Sequence, residues 1–259
     1  MRKTLQTLAA ATAASLSLTA CAGSLVDLSV VGRADGQPLQ TYAHRGQSWI
    51  AGNPGEHYAV RLTNRSGARV LAVLSVDGVN AVTGETADPS QGGYVLDPYE
   101  SAEITGWRKS LQEVAAFYFT ALPDSYAART DRPDHVGVIG VAVYREKEKP
   151  RPVPQPPLAK EAESAARDAA PAGAAPSAPA AESRRRQEAS RLGTGHGERE
   201  QAPTRYTAFE RASRSPAEVV SLRYDSWTNL VARGVVPRPP RYADPQPFPG
   251  GRFVPDPRG

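Results

Sequence analysis

Between Leu25 and Arg145 the chain is a succession of short apolar runs cut by turn residues at roughly 8–12-residue intervals, and this spacing constrains the fold more than any other feature. Glu56 to Thr63 places Tyr58, Val60 and Leu62 at every second position around Arg61, the period of a half-buried strand. Ala68 to Val76 is a longer Val/Leu-rich run, bounded by Asn64-Arg65-Ser66-Gly67 and by Asp77-Gly78. Both boundaries are turn signals, so residues 56–76 are expected to form a hairpin. Leu25 to Val31, Pro38 to Tyr42, Ser48 to Ala51, Gly93 to Leu96, Ser101 to Trp107, Ala115 to Leu122 and Val136 to Arg145 read as further strands. In the last, Val136, Val138, Val141 and Val143 alternate imperfectly around Gly137 and Gly140, which predicts a bulge or a close backbone approach. No long segment with clear helical periodicity interrupts the series. The expectation is an all-β fold, an antiparallel β-sandwich or small barrel, over residues 21–146. A domain of that size buries a sufficient core without disulfides.

Past Glu146 the composition changes. Lys147 opens a Pro/Ala-rich, charged stretch that runs to about Pro203 and is expected to be a disordered linker, beginning as semi-rigid polyproline II. Such a linker would let the C-terminal segment reach far from the sandwich. Apolar and aromatic residues return over 204–236, and residues 237–259 are Pro/Gly/Arg-rich and read as a disordered tail. Charge divides along the same line. Residues 22–146 carry 10 Lys/Arg against 14 Asp/Glu, whereas residues 147–259 carry 19 against 13. The basic character therefore belongs to the second half, where it suits a solvated linker or contact with anionic headgroups or an acidic partner. Within 204–236, Thr204 to Phe209 is a candidate strand. Val220, Leu222 and Tyr224 have strand period, with Asp225 or Ser226 placed to cap a short helix closed by Gly234. A continuous helix over Pro216–Arg233 is the alternative. About forty residues do not make a stable domain alone, so this segment should pack on the sandwich, on another copy or on a partner.

The N-terminus has two positive charges, Arg2 and Lys3, an uncharged apolar stretch from Leu5 to Ala20, and the run Leu18-Thr19-Ala20-Cys21. The first 20 residues read as a secretory signal, with an apolar stretch too short and Ala/Thr-rich for a membrane span. Leu-x-Ala-Cys resembles the lipobox of bacterial lipoproteins. That resemblance implies cleavage before Cys21, acylation of its thiol and anchoring to a membrane. Ala at position 22 implies the outer membrane, with the body in the periplasm. Cys21 is the only cysteine. With it acylated, disulfides, a thiolate metal site and a cysteine nucleophile are all excluded. The stretch Tyr58–Asn80 and the run Arg223-Tyr224-Asp225-Ser226 are also similar to proteobacterial envelope proteins of no established activity.

Few motifs carry chemistry. Gly46-Gln47-Ser48 begins like a nucleophile elbow but lacks the second glycine and a following helix. Gly193-Thr194-Gly195-His196-Gly197 looks like a phosphate loop but has no Lys-Ser/Thr after it, and reads better as a flexible turn. His196 with Glu198 has the chemistry to contact a metal or a partner. His44, His57, His135 and His196 do not fall at metal-ligand spacing, and only the fold can bring His44, His57 and an acid together. His57, just before the inward-reading Tyr58, should face solvent. Asp77 and Asn80 around Gly78 have the oxygens for calcium, although Asp-Gly usually marks a β-turn. Trp107-Arg108-Lys109 offers an aromatic and two cations at a strand end, a candidate recognition surface with His196 and Trp227; Trp107 suits core packing better than recognition.

These observations lead us to expect a membrane-anchored envelope lipoprotein acting as a non-catalytic binding or scaffold module in protein–protein interaction. No cofactor and no nucleic acid are expected, and the partners are the membrane, through the lipid, and a periplasmic or outer-membrane protein. Two alternatives stay open. One is an envelope enzyme acting on glycan or lipid through Asp, Glu and His. The other is an outer-membrane assembly component whose C-terminal segment orders on binding.

Overall fold

The computed structural model describes residues 21–22, 24–148 and 191–237. The expected signal (1–20), most of the expected linker (149–190) and nearly all of the expected tail (238–259) lie outside the described residues. In chain order the strands are β1 (Cys21–Ala22), β2 (Val26–Gly32), β3 (Thr41–His44), β4 (Gln47–Gly52), β5 (Tyr58–Asn64), β6 (Val70–Val76) and β7 (Val79–Asn80). They continue as β8 (Tyr94–Leu96), β9 (Ser101–Ile104), β10 (Gly106–Arg108), β11 (Glu113–Ala121), β12 (Val138–Arg145), β13 (Leu192–Gln201) and β14 (Glu218–Ser226). The α-helices among the described residues are two short pieces, α1 (Tyr126–Arg129) and α2 (Trp227–Ala232).

The fold is an all-β sandwich. One sheet has the order β1-β2-β5-β9, and the larger sheet has the order β3-β4-β14-β12-β6-β7, with β8 also on β6. A third, β10-β11-β13, joins the start of β5 through a bridge between His57 and Tyr118. All strand pairs are antiparallel except β14 with β4. The inward residues at period two supply one continuous core. It takes Leu28 and Val30 from β2, Tyr58, Val60 and Leu62 from β5, and Ala72 and Leu74 from β6. Ile139 and Val141 from β12, Leu222 and Tyr224 from β14, and Phe117 and Phe119 from β11 complete it.

Two expectations fail here for the same reason. β5 and β6 are not a hairpin: β5 pairs with β2 and β9, and β6 with β12, β7 and β8. β6 is covered on both faces, because Val70, Ala72, Leu74 and Val76 enter the main core while Leu71 and Val73 pack in an outer cluster with Ala142 and Tyr144. It is therefore a central strand of the opposite sheet, and the connection from Asn64 to Arg69 crosses between layers. Buried Asn64 shapes that corner: its amide donates to the carbonyls of Ala68 and Asp97 (both 2.8 Å), and its Oδ1 accepts from Ser66 N (2.9 Å). The second failure concerns where the expected linker ends. β13 lies inside the expected linker, and β14 inserts between β4 and β12 as a central strand. The segment 204–236 therefore packs on the sandwich, one of the three placements its size allowed. It closes the sandwich of its own chain.

Other details follow the sequence. Ser226 caps α2 by accepting from Asn229 N (3.3 Å), and Gly234 ends it at φ 71. Thr204 to Phe209 is not a strand but part of an irregular strap over residues 202–217. Gly137 has φ 92, and a Cβ there would meet the Tyr224 carbonyl at 3.2 Å, the close approach that the glycine predicted.

Residues 149–190 leave from the end of β12 and return at Arg191, whose guanidinium donates to the carbonyl of Val136 at the other end of that strand (2.7 Å). Any replacement must span one strand length, on the order of 25–30 Å, or about ten extended residues. Replacing residues 149–190 with about fifteen Gly/Ser residues is expected to leave the urea midpoint within about 1 M of the full chain, because loop closure depends only weakly on length. A collapse of the transition would show that the segment contributes to the core.

Candidate functional site

Two polar features stand out, one sealed and one open. The sealed one is a hydrogen-bonded chain in the core. Asp77 sits at φ 54 and Gly78 at φ 72 in the tight turn between β6 and β7, a conformation that Asp-Gly supplies. The turn aims the carboxylate inward. It accepts from the Tyr224 hydroxyl (2.6 Å to Oδ1), from Gly137 N (2.9 Å) and from Thr194 N (2.8 Å). Thr194 Oγ1 lies 2.7 Å from Tyr224 Oη and 2.6 Å from Tyr58 Oη. Burial pushes the carboxyl of Asp77 up to about 6, against the pull of the Tyr224 hydroxyl and the backbone N–H groups. The same burial, with the Asp77 charge next, raises both phenols well above their ordinary value. The carboxylate is inaccessible, so the chain is a structural tie joining β5, β13 and β14 to the β6–β7 turn. The calcium expectation at Asp77 and Asn80 is thereby corrected. Asn80 is also fully buried, with its amide on Gln91 Oε1 (3.0 Å) and its Oδ1 on Val82 N (2.7 Å).

The open feature is a cleft of about 1160 Å³ between β8 and the strap. The strap is pinned at both ends. Ala202 N and Thr204 N donate to the carbonyls of Gln112 (2.7 Å) and Leu111 (2.8 Å), and the Arg108 guanidinium donates to the Ala202 carbonyl. Further on, Arg69 holds the Ala208 carbonyl (3.2 Å), Phe209 packs on the outer cluster, and Arg211 lies 4.1 Å over the Tyr144 ring. Between the pins Tyr206 stands 87% exposed.

The electrostatics of the cleft are one-sided. Arg69, Arg108, Lys109, Arg205 and Arg211 line it, with Asp97, Glu100 and Glu210. Arg69 is paired with Glu146 (2.7 Å) and Asp97 (3.4 Å), and Glu210 with Lys147 outside the cleft. Among the described residues Arg108, Lys109, Arg205 and Arg211 have no carboxylate within ion-pair distance. Two buried atoms of the wall, Tyr94 Oη and Arg108 Nε, make no hydrogen bond of good geometry among the described residues, although the Arg108 guanidinium lies close enough to the phenol to act on it. Burial raises the Tyr94 phenol, partly offset by the Arg108 charge. Orphaned buried donors of this kind are uncommon and costly in folded proteins.

The predicted surface residues scatter. Arg108 and Lys109 line the cleft. Trp107 does not: it is 2% exposed, stacked edge-on against Phe117 (4.7 Å), and belongs to the core rather than to a recognition surface. His196 sits half-buried, stacked over that indole (6.3 Å) and beside Tyr126 (5.2 Å). Burial holds its pKa below the ordinary value, with the Lys109 charge adding to the effect. Trp227 is elsewhere, 45% exposed at the start of α2 and edge-on to Tyr42.

The Gly-x-Gly-x-Gly run is neither a phosphate loop nor a turn; it is the first half of β13. Each glycine is there for packing. A Cβ on Gly193 would meet Ser125 at 2.6 Å, one on Gly195 the Tyr118 ring at 2.2 Å, and one on Gly197 the Ala116 carbonyl at 2.9 Å. The sequence reading missed Arg69, Tyr94, Arg205 and Arg211, which approach one another only because the strap returns across β8. The unbalanced Arg content of the second half was the available signal.

What fold and cleft define together is an all-β sandwich with a cationic surface groove. Comparison with known protein families, curated proteins and solved structures finds no match to the chain.

Proposed function

We propose that this protein is an envelope lipoprotein, anchored through acylated Cys21, that acts as a non-catalytic binding module. Its cleft takes an extended acidic segment of a partner protein. The observation that carries the reading is the group of four cleft cations that have no carboxylate within ion-pair distance among the described residues. In a partly desolvated groove such charges favour an anionic occupant, and complementarity of this kind sets partner choice and encounter rate. The exposed Tyr206 ring adds apolar contact beside them. The acids in the cleft favour binding over acid–base chemistry, since Asp97 and Glu210 are held in ion pairs. The lipobox that ends on Cys21 supports the anchor, which needs more than one acyl chain to be stable.

Two measurements test the two parts. Radiolabelled palmitate should enter the full-length protein in cells and be absent from Cys21→Ser; equal labelling would remove the anchor. A fluorescent Glu-rich decapeptide should bind the detergent-solubilised chain, weakening as salt rises, while a Lys-rich one should not. The double variant Lys109→Glu/Arg205→Glu, at two exposed positions, should lower that affinity at least tenfold without moving the melting temperature. Equal binding of both peptides, or indifference to the double variant, would sink the cleft assignment.

A further inference from the structure

β13 changes face part-way along its length. Thr194 and His196 point inward, the first to Tyr58 and Tyr224 and the second onto Trp107. Strict alternation would send Glu198 and Glu200 the same way. The register with β11 shifts at this point: β11 advances from Ala115 to Phe117 while β13 passes from Arg199 back to His196. The extra residue is on β13, and a one-residue slip inverts every side chain beyond it. Glu198 and Glu200 therefore emerge on the outer face, beside His57, whose neighbour Tyr58 points into the core. The ligand atoms of His57, Glu198 and Glu200 all lie within 4.8 Å of one another.

We propose that these three side chains bind one divalent transition-metal ion, with zinc the best match to one imidazole and two carboxylates. Tetrahedral donors about 2 Å from zinc lie roughly 3.3 Å apart, so the cluster closes on an ion by rotation of the exposed Glu198. The other two donors are already held. The His57 ring stacks on Tyr118 (5.7 Å, 29°), and its carbonyl accepts from Arg33 N (3.0 Å). Arg33 Nη1 is 2.6 Å from both carboxylate oxygens of Glu200, fixing that group while leaving each oxygen a further lone pair. Two carboxylates and one guanidinium give a local charge of −1, which a divalent ion reverses. Three protein ligands leave a fourth position for water or for a donor from a partner. The ion would tie the start of β5 to the outer half of β13.

Titration calorimetry of the full-length, chelator-stripped protein with zinc chloride tests this. One ion per chain is expected. His57→Ala and Glu198→Gln should each weaken binding at least tenfold, and His44→Ala should not. Zinc should raise the melting temperature of the parent and of His44→Ala only. Glu198 is exposed, so Glu198→Gln remains informative should His57→Ala fail to fold. Absence of uptake, or uptake unchanged in Glu198→Gln, overturns the site.

Discussion

A chain ending at Glu146 is expected not to fold. It retains every strand predicted from the first half of the sequence, yet it lacks β13, β14 and α2. Without them Leu192, Val220, Leu222, Tyr224 and Leu230, all buried, are gone from the interior. At about 2 kcal/mol for each such side chain the loss is on the order of 10 kcal/mol, comparable with the entire ~5–15 kcal/mol that keeps a typical domain folded. β4 and β12 would also face each other across a missing strand, with Ile139 and Val141 on an unpaired edge. Far-ultraviolet circular dichroism and a urea titration should show no cooperative transition, whereas a chain ending at Pro237 should unfold cooperatively. A cooperative transition in the Glu146 product would mean that β14 is dispensable and the sheet order incorrect.

The second large effect centres on Asp77. Asp77→Ala leaves the N–H groups of Thr194 and Gly137 without their acceptor in the core, and leaves the Tyr224 hydroxyl only Thr194 Oγ1. It also places alanine at φ 54. Unsatisfied buried donors cost about 1–3 kcal/mol each, and the left-handed backbone adds about 1, so a loss of roughly 4 kcal/mol or more in urea unfolding is expected. Asp77→Asn keeps the turn and part of the acceptor, and isolates the charge. Because the folded carboxyl is raised to about 6 from 3.8, the folded state holds its proton over a range where the unfolded chain has released it. Stability from this group is therefore highest below about pH 4, falls as pH rises through 4–6, and is level above that. The difference between parent and Asp77→Asn should follow that course, changing by about 3 kcal/mol. A difference independent of pH would mean that the carboxylate is not buried as described.

The strands were legible where one face is wet. Tyr58-Val60-Leu62 alternates because β5 covers the core on one side only, and the Ser226 cap with Gly234 marked α2 by local chemistry. Partner choice was not legible. β6 reads as one arm of a hairpin because turn residues precede it, but its burial on both faces places it in the other sheet. β13 was hidden by its glycines, which mimic a loop and answer instead to Tyr118 and Ala116 on β11 and to Ser125 at the start of α1. Of the cleft, only Arg108 and Lys109 could be singled out, since Arg69 and Arg211 are far apart in sequence. The His57, Glu198 and Glu200 cluster depends on a bulge that no periodicity announces.

The place of β14 also sets the order of events in folding. It is the last strand of the described chain, and it lies between β4 and β12, which are synthesised much earlier. Until residues near 226 are available, the larger sheet has a gap at its centre, and its two halves have no direct backbone contact. Contacts of such long sequence separation slow folding, and they leave a nascent chain as a reservoir of unsatisfied edges rather than a growing native core. The molecule is therefore assembled from its end: closure waits for the last strand, and a ribosome that still holds that strand holds back the whole sandwich.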